Sequence, residues 1–383
     1  MGIKCKLNDI CSFANEKIDV ALLSKTSYIS TENMLPNKAG ITTATSLPTV
    51  NQTQAFKSND VLISNIRPYF KKIWYATFDG GCSNDVLVLR ANADIDPHYL
   101  YYLLADDVFF DYATATAKGT KMPRGDKAAI MKFEVNVYDI AVQRKIVSLL
   151  ADIDAKIALN NDINCNLEQQ ALCIYASLIE DKSKNGCIGD YCALKSGFAF
   201  KSKWWQDSGV PVVKIGSINQ DYLSLADCSY VSEDKVALAK DFIVSGGDLL
   251  IAMTGATIGK FTMVPKATKT ILVNQRVGKF FLGDNPINRV PFIYSTLKQP
   301  DIITDIINRG QGSAQPNISA SDILSIPCVI PQQTEINVFN EQTTPMFELI
   351  INNQYENQRL AVLRDTLLPK LMNGEIDVSE VKI

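Results

Sequence analysis

The sequence is poor in the residues from which catalytic and metal sites are most often built. Its 383 residues include one histidine, His98, and nine cysteines that are irregularly spaced with no Cys-X-X-Cys pair. This pattern excludes the common zinc motifs, which need cysteine or histidine pairs a few residues apart. A histidine-based catalytic site would depend on His98 alone. Its place in Asp96-Pro97-His98-Tyr99 predicts the first turn of a helix, where we expect a structural or solvated role.

The sequence also lacks the loops that bind nucleotides or carry a catalytic nucleophile. No GxxxxGK[ST], GxSxG or strand-linked GxGxxG motif occurs, and the nearest fragment is Gly310-Gln311-Gly312. The Asn/Asp-Pro-Pro-aromatic tetrapeptide of amino-methyltransferases is absent, and no clear acid–base pair of carboxylates stands out. We therefore expect no catalysis by this chain and no metal or cofactor bound to it.

Long apolar runs and an excess of positive charge are absent too. No run approaches the roughly 18 apolar residues of a membrane span, and Lys4, Lys6 and Asp9 interrupt the N-terminal region where a secretory signal would be apolar. We expect a cytoplasmic protein with reduced, mostly buried thiols and no membrane association. The 38 basic and 41 acidic residues give a net charge of −3, which argues against a non-specific nucleic-acid coat but allows local basic patches.

What the chain does contain is an internal repeat. The segment GTKMPRGD at residues 119–126 aligns with GSAQPNIS at residues 312–319, and Asp60–Ile63 aligns with Asp248–Ile251. Each copy continues into a short apolar stretch and then into a long helical pattern. The order is therefore block, helix, block, helix, which predicts a duplicated module rather than a solenoid.

The two helical patterns follow the alternating spacing of three and four residues that is typical of a coiled-coil seam. They predict helices from about Val142 to Ile179 and from Gln333 to Met372. We interpret them as an intramolecular antiparallel pair, with the core faces of two ordinary amphipathic helices as the alternative. Pro345 predicts a kink or a late start in the second helix. Several seam positions are polar and are expected to set the register: Lys156, Asn160, Thr343, Asn353 and Asn357.

These patterns predict an α/β (α+β) fold with a pseudo-two-fold internal repeat, in which two similar globular domains are separated by two long antiparallel coiled-coil helices. The predicted boundaries are 1–141 for the first globular domain, 142–185 for the central helical region, 186–331 for the second globular domain and 332–383 for the distal helical region. Within the globular domains, Pro97–Phe110 and Val290–Ile307 are each predicted to form one helix.

Three loop tracts combine residue types that contact phosphates and bases. Arginine and lysine bind phosphates, arginine also recognises guanine, and asparagine and glutamine recognise adenine. For one tract alone, solvated turns with chance charges would be the better interpretation, but two of the three tracts occur at matching places in both copies. The predicted DNA-binding residues are Asn65, Arg67, Tyr69, Lys71, Lys72, Lys118, Lys121, Arg124, Lys201, Lys203, Trp204, Thr254, Lys260, Arg309, Gln311, Ser313, Gln315 and Asn317.

One stretch carries a specific resemblance to a known family. Glu356–Leu360 together with Leu363–Ile376, which contains the run LRDTLLPKLMNGEI, resembles the distal conserved region of the specificity subunits of type I restriction-modification systems. Gly312–Ser319, followed by Ile326-Pro327, resembles the approach to a conserved helix in that family. The resemblance covers the whole chain, and the chain departs from the family pattern at the two helix starts.

The resemblance implies a function. Each globular domain would be a target-recognition domain that binds one half of a split double-stranded DNA sequence, and the helices would set the spacer. Two modification (methyltransferase) subunits would dock on the helices and carry the S-adenosylmethionine chemistry, and restriction subunits would join them for cleavage. We expect Leu363, Leu367 and Leu368 to take part in partner docking, because they widen the apolar face of the second helix. The modification subunit or the end of the opposing helix is expected to cover Leu367 and Leu368.

Three alternatives remain at this point. The chain could be the recognition scaffold of a methylation-only system, a coiled-coil assembly protein without DNA readout, or a stand-alone enzyme. The missing motifs oppose the last of these.

Overall fold

The computed structural model describes residues 2–219, 222–225, 227–266, 269–311 and 316–378. The chain divides into two compact units. The first unit comprises residues 1–155 and 360–383, and the second comprises residues 156–359. Each unit therefore contains one globular block together with a part of both long helices.

The first unit contains two four-stranded sheets and a two-stranded one, with strand orders β2-β9-β6-β7, β3-β5-β8-β4 and β1-β10. Every pairing is antiparallel except that of β4 with β8. Short 3-10 turns span Val20–Leu22 and Pro68–Phe70. The elements are β1 Ile3–Lys6, α1 Leu7–Ile10, β2 Cys11–Phe13, β3 Lys17–Asp19, β4 Tyr28–Ile29, β5 Gln52–Phe56, β6 Val61–Ser64, β7 Ile73–Tyr75, β8 Gly80–Cys82, β9 Val86–Ala91, α2 Pro97–Ala105, α3 Asp107–Ala115, α4 Lys127–Ile130, β10 Glu134–Val137 and α5 Ile140–Ile179, the last of which continues into the second unit.

The second unit repeats this plan with sheets ordered β12-β20-β17-β18, β13-β15-β14-β19-β16 and β11-β21. Its 3-10 segments are Ser202–Trp204, Ile215–Ser217, Glu233–Phe242, Gly255–Thr257 and Pro286–Asn288. The elements are β11 Gly186–Cys187, α6 Ile188–Tyr191, β12 Ala193–Ser196, β13 Trp205–Gln206, β14 Val210–Val213, β15 Ser229–Val231, β16 Ile243–Val244, β17 Leu249–Ala252, β18 Phe261–Met263, β19 Ile271–Val273, β20 Val277–Phe281, α7 Val290–Leu297, α8 Pro300–Gly310, α9 Ala320–Leu324, β21 Pro327–Cys328 and α10 Gln333–Met372, the last of which continues into the first unit.

The predicted fold class and internal repeat are confirmed: the four-stranded sheets β2-β9-β6-β7 and β12-β20-β17-β18 share one strand order, while the other large sheet has four strands in the first unit and five in the second. In both units the central strands of one sheet, β6 with β9 and β17 with β20, are apolar runs with almost fully buried side chains. Such strands are covered on both faces, which explains why the sequence shows continuous apolar runs rather than alternation. Helices and the second sheet supply the cover on either side.

The repeat extends to one buried ion pair. In the first unit the buried carboxylate of Asp60 accepts two hydrogen bonds from Arg90, both at 2.7 Å, from Nε and Nη2. In the second unit Asp248 occupies the equivalent position, and its partner is Lys279, with Nζ 3.3 Å from the carboxylate. The forked guanidinium binds a carboxylate through two parallel bonds, whereas an ammonium offers one point contact.

Replacing Arg90 with methionine is expected to destabilise the first unit by about 2 kcal/mol, because Asp60 would keep a buried charge without its partner. The free energy of unfolding from denaturant titration measures this change. Arg144→Met, at an exposed position on α5, is the matched control and should leave the stability unchanged. Equal stability of the two variants would show that water replaces the guanidinium without loss.

The two long helices pair antiparallel, as predicted. In the first unit Ile146 and Leu150 of α5 lie in one core with Leu368 and Leu371 of α10. In the second unit Asn160 Nδ2 donates to Asn357 Oδ1 at 2.9 Å. The polar seam is therefore present.

Further polar contacts extend that seam. Asn353 Nδ2 donates to Asn164 Oδ1 at 2.9 Å. Asn160 and Thr343 are almost fully buried. Lys156 differs from the prediction, because it is exposed and pairs with Glu356 at the edge of the helix pair.

Two predictions about helices are wrong. Pro345 does not delay α10, which starts at Gln333 and is continuous through the proline, with Phe339, Thr343 and Phe347 on either side of it buried in the core of the second unit. The kink at Pro345 stays a prediction. The single helices predicted at Pro97–Phe110 and Val290–Ile307 are each two helices. Asp106 caps α3 by accepting a hydrogen bond from the Val108 amide, and Pro300 opens α8, so each site starts a new helix.

Candidate nucleic-acid interface

Two of the sequence-predicted tracts meet in the first unit. The chain after β6 and the loop around residues 118–125 are joined by an antiparallel bridge between Ile66 and Arg124. The Arg67 amide donates to the Pro123 carbonyl at 2.8 Å, and the Gly125 amide donates to the Asn65 carbonyl at 3.0 Å. We call this arrangement the first loop crossing. It brings Asn65, Arg67 and Tyr69 together with Lys118 and Arg124.

The second unit contains an equivalent crossing, in which the bridge and both backbone hydrogen bonds have counterparts. Thr254 and Asn317 form the bridge that corresponds to Ile66 and Arg124. The Gly255 amide donates to the Pro316 carbonyl at 2.9 Å, and the Ile318 amide donates to the Met253 carbonyl at 3.0 Å. We call this the second loop crossing. The backbone scaffold is thus conserved between the copies while the side chains on it differ.

The first crossing exposes cationic and aromatic side chains. Arg124 keeps 56% of its side chain exposed although it pairs with Asp85 at 3.1 Å. Lys118 is exposed and pairs with Asp126 at 2.6 Å, and Lys121 is exposed as well. The hydrogen bond from Lys118 holds the pKa of Asp126 below its ordinary value. These contacts are at the surface, so DNA phosphates can compete for the same cations.

Lys71 and Lys38 share one carboxylate. Their ammonium groups each lie 2.9 Å from a different oxygen of Asp107. Burial would raise the pKa of Asp107, but the hydrogen bonds from both lysines hold it below its ordinary value. Lys38 was not among the residues predicted from the sequence, because its loop has no counterpart among the repeated motifs. The signal that could have found it is the turn sequence Pro36-Asn37-Lys38.

Lys72 and Arg309 are engaged within the fold. Lys72 Nζ donates to the Thr31 carbonyl at 2.6 Å, and burial lowers the pKa of Lys72. Arg309 Nε donates to Asp305 at 2.9 Å, and its Nη1 donates to the Asp322 carbonyl at 3.0 Å. Both side chains therefore have structural partners that DNA would have to replace.

The second crossing is less cationic. Lys260, Gln311 and Asn317 are exposed there, and the Thr254 hydroxyl is buried with no hydrogen-bond partner within the described residues. Ser313 and Gln315, two of the predicted DNA-binding residues, lie outside the described residues.

The third predicted tract stands apart from the second crossing. Trp204 is partly buried, with the ammonium groups of Lys201 and Lys235 at 5.4 and 5.2 Å from its ring centroid. Lys203 beside it is exposed. Within the ranges that the structure describes, no hydrogen bond or ion pair links this tract to Thr254 or Asn317.

The remaining candidates for chemistry have structural roles. His98 is stacked between Tyr75 and Tyr102, with ring centroids 4.2 and 5.1 Å away, and burial lowers the pKa of its imidazole. The nine cysteines are free thiols, five of them buried. The part of the chain that the structure describes holds no group of three or more metal-ligating side chains. Among the described helices, none is long and apolar enough to cross a membrane.

The three residues predicted to dock a partner, Leu363, Leu367 and Leu368, differ in how much of each side chain is exposed. Leu368 is 2% exposed and belongs to the core of the first unit, and Leu367 is partly buried against that core. Leu363 is 47% exposed on α10, next to Val362 at 67%. Leu368 is therefore covered within this chain, in a core that includes Ile146 and Leu150 of the opposing helix, which is one of the two expected ways of covering it. A docking role for Leu363 and Leu367 stays a prediction.

Comparisons with known proteins agree with the duplicated fold. The family model of the type I restriction modification DNA specificity domain matches twice, at residues 4–169 and 180–363. The HindI type I restriction enzyme specificity subunit of Haemophilus influenzae is 24% identical over 97% of this chain and 98% of its own length. The MjaIX specificity subunit of Methanocaldococcus jannaschii is 22% identical over 74% of this chain and 70% of its own.

A solved structure shares the fold as well. The type I restriction-modification S subunit from M. genitalium superposes with a TM-score of 0.56 at 17% identity and covers 97% of this chain and 96% of its own. With two family domains that together span most of the chain, the protein belongs to the family of type I restriction-modification DNA specificity subunits.

Proposed function

We propose that the two units bind the two halves of a split DNA target through their loop crossings. The observation that carries this proposal is the recurrence of one backbone scaffold with different side chains. Arg67 and Arg124 of the first crossing correspond to Gly255 and Asn317 of the second. Direct readout depends on side-chain donors and acceptors, so two such crossings would select different base sequences.

The chain supplies recognition, and its partners supply the reactions. On this proposal two modification subunits dock on the long helices and bring the S-adenosylmethionine that methyl transfer consumes. If the system also cleaves DNA, restriction subunits join the complex. The family assignment supports this division of roles. So do the side chains that could otherwise act in catalysis: His98 is stacked on aromatic rings, and Asp85 and Asp107 form ion pairs with basic side chains.

The test is methyl transfer by the chain with and without its modification subunit. The purified chain alone should transfer no methyl group from S-adenosylmethionine to DNA, and the reconstituted complex should methylate one split sequence in a mapped genome. Turnover by the chain alone would disprove the division of roles. Methylation by the complex without any sequence preference would favour an assembly protein that lacks DNA readout.

A methylation-only system is the second candidate. It would use the same crossings and helices and differ only in the absence of cleavage. Cleavage of unmethylated target DNA by a complex that also contains the restriction subunit decides between the two.

The exposed pair Val362 and Leu363 is proposed as a docking contact for the modification subunit. Replacing both with aspartate is expected to reduce co-purification of that subunit at least tenfold, because a charge would be buried in an apolar contact. Leu22→Asp is the matched control, because Leu22 is 76% exposed and lies outside the two long helices. This variant should bind the modification subunit normally.

The burial of Leu368 provides a second comparison. Leu368→Asp should lower the thermal stability of the first unit, whereas the Val362/Leu363 variant should keep the wild-type circular dichroism spectrum and melting temperature. Normal assembly of the folded Val362/Leu363 variant would place the docking surface elsewhere on the helices.

A further inference from the structure

A strained double turn lies beside the first loop crossing. Pro68–Phe70 form one turn of 3-10 helix between Arg67 and Lys71, and both flanking residues have a left-handed backbone with φ of 51°. Opposite them, Asn37 and Lys38 have φ of 56° and 62°. Left-handed conformations are unfavourable for residues with a Cβ, and they tend to cluster where a functional geometry must be held.

The backbone of this turn is fixed from three sides. The Asn37 amide donates to the Phe70 carbonyl at 2.8 Å, and the Lys38 amide donates to the Lys71 carbonyl at 2.9 Å. The Arg67 amide is held by the Pro123 carbonyl at 2.8 Å. The shared ion pair of Lys38 and Lys71 with Asp107 adds a side-chain link. The turn is therefore a preorganised element rather than a loose loop.

The turn presents two aromatic rings to solvent. Tyr69 is 47% and Phe70 is 38% exposed, with ring centroids 4.7 Å apart. One cation lies beside them: Lys72 Nζ, which donates to the Thr31 carbonyl, is 5.9 Å from the Phe70 centroid. Exposed rings held rigidly beside a crossing that also exposes Lys118 and Arg124 suit a base stack flanked by phosphates, because stacking uses the ring face and exposed cations can contact the backbone.

The second unit lacks this feature at the equivalent place. Its 3-10 turn is Gly255–Thr257, which carries no aromatic ring, and Lys260 follows it. Gly255 and Gly259 take the left-handed conformations there with φ of 73° and 81°, at no cost in side-chain strain. The two crossings thus share a scaffold and differ in whether a ring pair projects from it.

We propose that Tyr69 and Phe70 form an aromatic wedge that inserts against a base step of the half-site bound by the first unit and partially unstacks it. The second unit has no such ring pair at its equivalent turn, so the unstacking caused by the wedge is confined to one half-site. This inference rests on the proposed binding of one half-site by each unit. It assigns part of the specificity of the first unit to the deformability of its DNA rather than to base-edge contacts.

The experiment uses the full chain reconstituted with its modification subunit on the mapped target. Each adenine is replaced in turn by 2-aminopurine and each cytosine by pyrrolo-cytosine, and fluorescence reports unstacking at that position. A methyltransferase flips its own target adenine out of the stack, so the wedge is measured at positions other than the methylated adenine of each half-site. At those positions the wild-type complex should raise the signal at one step in the half-site of the first unit and at none in the other half-site. The double variant Tyr69→Ala with Phe70→Ala should abolish the rise and weaken binding about ten- to a hundredfold.

Two further variants separate the wedge from general effects. Tyr69→Phe combined with Phe70→Tyr keeps both rings and should keep the fluorescence rise. Leu22→Ala removes an even more exposed apolar side chain from the other 3-10 turn of the first unit and should change nothing. Specific binding by the wild-type complex without a rise at any step away from the methylated adenine of that half-site would overturn the wedge and leave half-site recognition intact. Absence of specific binding by the wild-type complex would instead overturn the proposed function.

Discussion

Exchanging residues 1–140 for the matching block of a related specificity subunit is expected to change one half of the DNA target and leave the other half unchanged. The exchanged block contains the whole first loop crossing, from Asn65 to Gly125, and ends at the start of α5. Methylation at the original sequence should fall at least a thousandfold, because specific binding exceeds non-specific binding by about that factor or more. Genome-wide mapping of methylated sites measures both halves at once.

The exchanged block must keep one contact that it makes with the long helices. Tyr102 in the block donates its hydroxyl proton to Asp154 of α5 at 2.8 Å, and Arg364 of α10 contacts the other oxygen of Asp154 at 2.8 Å. The related subunit that supplies the block should have a tyrosine at the position of Tyr102, so that the hydrogen bond to Asp154 is kept. The reciprocal exchange of residues 186–331 is the control and should change the other half. A change in both halves, or in neither, would contradict independent recognition.

Lengthening both helices by one heptad is expected to lengthen the non-specific spacer while both half-sites stay the same. Seven residues extend a helix by about 10 Å, which corresponds to about three base pairs of DNA. Methylation at the original spacing should be lost. The measurement is methylation of a set of target sequences that differ only in spacer length.

The helix pairing decides where the heptads belong. Asn160 lies opposite Asn357, and Asn164 lies opposite Asn353. Insertions between Asn160 and Asn161 and between Glu356 and Asn357 therefore face each other and preserve these hydrogen bonds. An insertion in α5 alone is the control: it should shift the seam out of register and destabilise the chain. A folded, active double insertion that retains the original spacer would contradict the role of the helices as a ruler.

The repeat and the helices could be predicted from the sequence because their signals are local or periodic. The predicted second helix, Gln333–Met372, coincides with α10, and the first begins at Ile140 rather than Val142. The alignment of Asp60–Ile63 with Asp248–Ile251 predicted two equivalent central strands, β6 and β17. Spacing along the chain determines which side chains share a helix face, so no knowledge of distant contacts is needed.

Whether an individual site residue is exposed, buried or paired depends on partners far away in the chain. The loop tracts were predicted, but nothing in the tract around Lys71 indicated that Lys38, 33 positions earlier, would share the carboxylate of Asp107. Likewise the spacing left open whether a partner subunit or the opposing helix covers Leu368, and the core of the first unit shows that residues of this chain cover it. Such contacts arise between segments that only packing brings together.

The sequence by itself determined the duplicated α/β plan, the long helix pair with its polar seam, and the tracts from which the loop crossings are made. The tertiary structure alone decided that two tracts cross in each unit, that Lys72 and Arg309 are held by internal partners, and that Tyr69 and Phe70 project from a strained turn. The physical reason is that periodicity and composition are properties of neighbouring residues, whereas exposure, ion pairing and backbone strain are properties of segments that meet only when the core forms.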